Sequence, residues 1–352
     1  MEKDERLAIL RGLPKVELHR HLEGSIRLAT MLELGRKNGV QLPIESLTSL
    51  VQLVTYNDGE PRTLSNFLKK FHAEWYRSYA DVERVATEAV IDAAAEGVVH
   101  LELRFNPEHF IRFSGLQAKG VMEAITESVQ EVATETEITV RFVLTFPRER
   151  YDEALWRHLI NLGADMAERG IKGVDLAGDE FSYPNHLYQK IFKRVLDTGV
   201  LKSTVHSGEG TSAKQVASAI ELLGACRIGH GLKAIEDPQT IALIRDRGVV
   251  IEMCPISNFQ TGCIDNLEAH PLPLFDKQGV LVTINSDDPT IHRTTLNHDY
   301  DVALTHWGFS LDDLLRLERN AVQGAFLDEA EKKELLALIE RGYQDSRNQG
   351  LI

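Results

Sequence analysis

Apolar Val16 and Leu18 and the residues after them, with Pro14 introducing the run and Gly24 ending it, predict a short buried strand. Alternate side chains of a strand share a face, so His19 and His21 point the same way, two rungs apart. From Ser25 to about Glu96 the period becomes helical, with a polar break at Asn57-Asp58-Gly59-Glu60-Pro61. Inside that region Leu64, Phe67, Leu68, Phe71 and Trp75 fall near helical spacing as one apolar stripe. Short apolar runs follow, each leading into a helical pattern: Val98–Phe105, Ile138–Phe146, Gly173–Ala177, Ser203–His206, Arg227–His230, Val249–Met253 and Leu281–Asn285. Helices are expected at Ala213–Leu223 and Pro238–Asp246. Beyond Trp307 the pattern is helical to the end, with N-terminal caps at Ser310 with Asp313 and Asp328 with Glu331.

Together with the first strand these runs make eight, and strands buried by flanking helices should read as near-continuous apolar stretches. The expectation is an α/β fold: a TIM-type (β/α)₈ barrel with a helical insertion after the first strand (about 25–96) and extra C-terminal helices. No repeat, low-complexity tract or linker divides positions 1–352, so one domain is expected.

Composition narrows the function. The chain is 43% hydrophobic and 26% charged, enough for a substantial core. Its formal net charge of -14 argues against a nucleic-acid or anionic membrane partner. No apolar run is long enough to span a bilayer, and none follows the mixed-charge Met1–Arg6 as a signal peptide would. Cys226, Cys254 and Cys263 form neither a CxxC pair nor a disulfide framework, so a cytoplasmic location is expected.

Barrel enzymes place their chemistry at the C-terminal ends of the strands. There the chain carries Arg104-Phe105-Asn106, Asp175-Leu176-Ala177-Gly178-Asp179-Glu180, His206-Ser207-Gly208-Glu209, Gly229-His230-Gly231 and Asn285-Ser286-Asp287-Asp288-Pro289. Buried charges must be paired or bound to a metal, and so many together point to a shared divalent ion. His19, His21, His206 and Asp287 form a nitrogen-rich set that suits Zn²⁺ over magnesium or calcium. Such an ion activates a water for attack. Glu209, just past the same strand end as His206, can stand opposite as a proton donor, with His230 and Asp288 orienting the water and taking its proton. Other readings of these residues are a helix-start role for Glu209, a turn role for Asp288 before Pro289, and plain core packing for most of the apolar stripe.

The segments LPKVELHRHLEGS, VDLAGDE, VHSGEG, RIGHGLKAIED, CPISNFQTG and INSDDPTI, in that order, resemble the adenosine deaminase family over nearly the whole chain. The resemblance implies one zinc per chain on His19, His21, His206 and Asp287. It implies Glu209 as the group that protonates purine N1, His230 beside the attacking water, and Asp288 near purine N7 and the water. It places the Gly178 backbone at purine N3 and an apolar lid of Leu64, Phe67, Leu68 and Phe71 over the base. The implied reaction converts adenosine or 2′-deoxyadenosine to inosine and ammonia in purine salvage, so the expected partner is a small 6-aminopurine nucleoside.

Two positions depart from the family pattern. Glu23 stands where the family usually has an aspartate contacting the ribose 5′-hydroxyl, and Ser207 replaces the usual alanine. The HLEG form also resembles deaminases of adenine and of other 6-aminopurine derivatives such as aminodeoxyfutalosine, whereas the LAGDE stretch favours adenosine. A binuclear amidohydrolase on the same barrel would carry a bridging lysine at the end of the fourth strand, and none is present there. A purine-binding barrel without turnover would be expected to have lost a zinc ligand or Glu209, and neither is lost.

Overall fold

A computed structural model describes residues 2–42 and 45–348. Eight parallel strands run in sequence order: β1 Lys15–His21, β2 Val98–Phe105, β3 Thr139–Pro147, β4 Ile171–Ala177, β5 Lys202–Ser207, β6 Arg227–His230, β7 Val250–Met253 and β8 Leu281–Ile284. A bridge between Arg20 and Asp287 joins the chain leaving β8 to β1: the His21 N–H donates to Asp287 O at 2.8 Å, and the Asp287 N–H to His19 O at 3.0 Å. The nearly closed barrel and its surrounding helices are the (β/α)₈ fold that the pattern predicts, and strand ends fall within about two residues of expectation.

The barrel interior is not the apolar stack expected of buried parallel strands. On β2 every second residue is polar, and Glu102 and Arg104 reach across the barrel to the far strands. Arg227 donates to Glu102 at 2.6 Å and pairs with Glu252 at 2.6 Å, and Arg104 donates to Glu252 at 2.8 Å and to Asp175 at 3.2 Å. All five are essentially fully buried. Leu101, Leu103 and Phe105, on the other face of β2, belong to the hydrophobic core.

The stretch after β1 holds helices Leu28–Lys37, Leu47–Val54, Leu64–Leu68 and Tyr79–Ala95. Tyr79–Ala95 packs on β2 and on helix Ala118–Glu135, as a barrel helix does. The apolar stripe breaks, because the helix begun by the Thr63 cap lasts only to Leu68. So short a helix is marginal without tertiary support. Just past its end the Lys70 ammonium pairs with Glu60 at 2.8 Å. Phe71 then packs edge-on against Phe67, ring centres 5.2 Å apart, while Trp75 joins the main core.

Helices Leu311–Gly324 and Glu329–Asn348 complete the barrel wall, and both expected caps form. Residues 349–352, part of the expected terminal helix, lie outside the described residues. Helix Lys3–Gly12, which the pattern did not announce, packs on helix Leu296–His306. Among the described residues no helix is long and apolar enough to cross a membrane.

Candidate active site

The strand geometry delivers His19 and His21 from β1, His206 from β5 and Asp287 from the turn after β8 to one point. Their ligand-type atoms lie within 4.8 Å of one another, all in buried side chains. Each imidazole is oriented from behind where a carboxylate is in reach. His19 Nδ1 donates to Glu252 at 2.8 Å, and His206 Nδ1 donates to Asp175 at 2.9 Å. The Arg104 and Arg227 guanidiniums and these histidines hold both carboxylates well below their ordinary range against the opposing cost of burial, so both are ionised. With Nδ1 engaged by Glu252, His19 turns Nε2 toward Asp287 Oδ1, 3.1 Å away. Neither atom has a hydrogen-bond partner. His21 Nε2 and His206 Nε2 face each other at 3.2 Å. Four ligand-type atoms converging this closely in buried side chains suit a cation, and an imidazole-rich set backed by carboxylates suits zinc.

Above this cluster opens a cavity of about 340 Å³. Of the residues singled out in the sequence, His21, His206, Asp287, Glu209, His230 and Asp288 line its deep end. Glu23, Gly178, Leu64, Phe67, Leu68 and Phe71 line the remainder, while His19 lies beneath. Glu209 accepts a hydrogen bond from the Thr261 hydroxyl at 3.2 Å, and its other oxygen is 4.0 Å from His230 Nε2. Burial and the nearby Asp287 raise its carboxyl to about 7. Asp287 and Asp288 are pushed apart: the surrounding histidines hold Asp287 down, whereas burial and the Asp287 charge push Asp288 up. Gly24 makes room for Asp288, since a Cβ there would fall 1.8 Å from its Oδ1. Gly178 adopts a φ of +104°, and a Cβ there would strike Glu149 Oε2 at 2.4 Å.

His230 (φ +62°) is fixed by a chain of hydrogen bonds that the sequence did not reveal. The Leu272 backbone N–H, an obligatory donor, points at His270 Nδ1 at 3.1 Å, which leaves the His270 proton on Nε2. That proton goes to Asn258 Oδ1 at 3.2 Å, so the Asn258 amide donates to His230 Nδ1 at 2.9 Å. Burial pushes His230 down to about 4, and the neutral ring therefore presents Nε2–H to the cavity. Thr261, Asn258, His270 and Glu252 are the residues that sequence reading missed, and the pairing of Arg104 and Asp175, both named at strand ends, was not foreseen. Thr261 and Asn258 lie inside the quoted CPISNFQTG segment, which was a signal for two of them.

Of the two departures, Ser207 donates to the buried Glu180, which also accepts from the Gly208 N–H at 2.8 Å and from Thr211. Glu23 is 7% exposed and accepts from the Asn106 N–H at 2.6 Å, and burial raises it to about 7.

A parallel barrel with a histidine–aspartate cluster and an acid at the C-terminal ends of its strands defines a metal-site hydrolase of the amidohydrolase kind. Within that class the chain belongs to the adenosine deaminase family, whose model matches residues 14–341. It is 37% identical over 332 residues, 93% of this chain and 98% of the relative, to a protein named adenosine deaminase from Shewanella denitrificans. It is similar in structure to a Burkholderia ambifaria amidohydrolase with bound zinc (TM-score 0.88, 25% identity, 99% of this chain and 95% of that one). It is also similar to an Arabidopsis N6-mAMP deaminase (TM-score 0.81, 26% identity, 94% and 99%).

Proposed function

We propose that the whole chain, as one domain in the cytoplasm, hydrolyses the 6-amino group of adenosine and 2′-deoxyadenosine, giving inosine-type products and ammonia in purine salvage. One zinc held by His19, His21, His206 and Asp287 would supply Lewis-acid activation of the attacking water. The observation that carries the reading is a protonatable carboxyl, Glu209, across one cavity from that cluster.

Adenine C6 is a poor electrophile because attack breaks ring conjugation. Glu209 donates its proton to purine N1 and relieves that cost, with Thr261 holding the oxygen that does not face the base. His230 offers Nε2–H, so it orients and stabilises the attacking oxygen and does not serve as the base. Asp288, when ionised, takes the water's proton and passes it to the departing amino group, which leaves as ammonia. Gly178 positions the base from its N3 side, Leu64, Phe67, Leu68 and Phe71 cover it, and Glu23 faces the sugar. Similarity to a protein named adenosine deaminase over 98% of its length supports this substrate ahead of free adenine.

Metal analysis of purified protein should return one zinc per chain, and adenosine should release stoichiometric ammonia. Glu209→Gln should keep zinc and lose about 10²–10⁴-fold in turnover. Near-normal turnover by a zinc-replete Glu209→Gln protein would refute the assignment.

A further inference from the structure

The cavity does not end at Glu23. Its wall continues through Asn106 and His109 to two guanidiniums at the mouth, Arg112 and Arg150. Asn106 caps the short helix Pro107–Ile111 that follows β2, which sets His109 on the cavity wall and Arg112 just past the helix end. Arg150 comes from the turn after β3.

Little in the protein uses these charges. The Arg112 guanidinium makes no hydrogen bond or ion pair among the described residues and lies over the Phe113 ring at 4.9 Å. Arg150 has one loose partner, Glu108, at 3.9 Å. The two guanidiniums share Glu108 as their one nearby carboxylate partner, and at 3.9 Å it is held only loosely. Glu149, the other carboxylate at the mouth, is turned toward β4, where it accepts from the Asp179 N–H. A second observation points the same way: His109 Nε2 is buried and has no hydrogen-bond partner. Burial and Arg112 keep that ring neutral, so it can offer one N–H.

Arginines with one loose partner between them, beside an unused buried imidazole nitrogen, are the chemistry that recognises an oxyanion. Resting on the deaminase reading, which puts the sugar at Glu23, we propose that the preferred substrate carries an anionic group beyond its sugar, a phosphate or a carboxylate, seated by Arg112 and Arg150 with His109. The adenosine moiety then supplies the reacting part, and the anion supplies binding at the mouth.

The test compares kcat/KM of the zinc-replete protein for adenosine, for adenosine 5′-monophosphate, and for adenosines with 5′-linked carboxylates of increasing linker length. At least one anionic form should exceed adenosine by about tenfold or more, as charge-assisted hydrogen bonds permit. The better series tells whether phosphate or carboxylate is the natural group. In the double variant Arg112→Gln, Arg150→Gln the ratio should collapse to within about threefold of unity, and salt should erode it in the parent protein. Anionic forms at or below adenosine, or a ratio unchanged in the double variant, would overturn the proposal. Calorimetric binding of inosine and inosine 5′-monophosphate separates the two readings. Arginine-dependent tighter binding of the phosphate without turnover of any 6-aminopurine keeps this subsite and defeats the deaminase assignment. Adenosine turnover with no anion preference does the reverse.

Discussion

The two ends of the cavity are built on different terms. At the deep end, Asp175, Glu252 and Asp287 come from strands or the bridge beside them, and histidines and arginines hold each ionised. At the sugar end, Glu23 has one backbone N–H and no cation, and burial alone carries it to about 7. The lid above is a five-residue helix and the mouth is exposed arginine. The difference teaches where the protein commits free energy before ligand arrives. Charges fixed between paired strands are pre-organised for a metal, whereas groups on short helices and turns are left under-satisfied for a substrate to complete.

The most damaging way to break this contrast is to cut the deep network at its centre. Arg104 joins Asp175 and Glu252, and through them His206 and His19. Arg104→Met should leave two buried carboxylates under-compensated and destabilise the fold by about 3–5 kcal/mol, read by denaturant unfolding. Zinc affinity should fall as well. A change within about 0.5 kcal/mol would mean that the network is not holding the deep end.

A subtler substitution keeps shape and inverts one proton. An aspartate at Asn258 accepts from both neighbours, so Asn258→Asp should move the His230 proton from Nε2 to Nδ1. Turnover should fall by about 10–100-fold, the usual cost of losing an orienting partner, with zinc retained. Nitrogen chemical shifts of the histidine ring would report the tautomer. Unchanged turnover with an inverted tautomer would remove His230 from the chemistry.

At the sugar end the effects should be smaller and should appear in binding. Glu23→Ala should raise KM for adenosine by about tenfold, leave kcat nearly intact, and affect free adenine less. Equal loss on both substrates, or loss of zinc, would make Glu23 a structural residue of the β1 turn. The smallest effect belongs to the lid. Leu68→Ala removes partly exposed apolar surface, and a KM increase of about threefold is expected from the area lost. A fall in kcat greater than the change in KM would show that the lid positions the base and does not merely cover it.

Much of this molecule was legible in one dimension. Strand-length apolar runs separated by helical patterns specify a parallel barrel, since each element must bury its apolar face against the next. Period-two spacing set His19 and His21 on one face, and the barrel rule directed attention to strand ends, so all the residues proposed for metal and catalysis were named from the sequence. What remained hidden depends on distances between residues far apart in the chain. Arg104 reads as one more charge at a strand end until Asp175 and Glu252 are seen across the barrel. His230 reads as a base or a donor until a backbone N–H at Leu272, 42 positions on, decides where its proton sits. The lid stripe had helical spacing, yet the helix ends at Leu68 and Trp75 goes to the main core. Local pattern determines which face of an element is buried, because periodicity is a property of neighbours in sequence. Protonation, tautomer and the pairing of buried charges are settled by neighbours in space, and those only the closed barrel supplies.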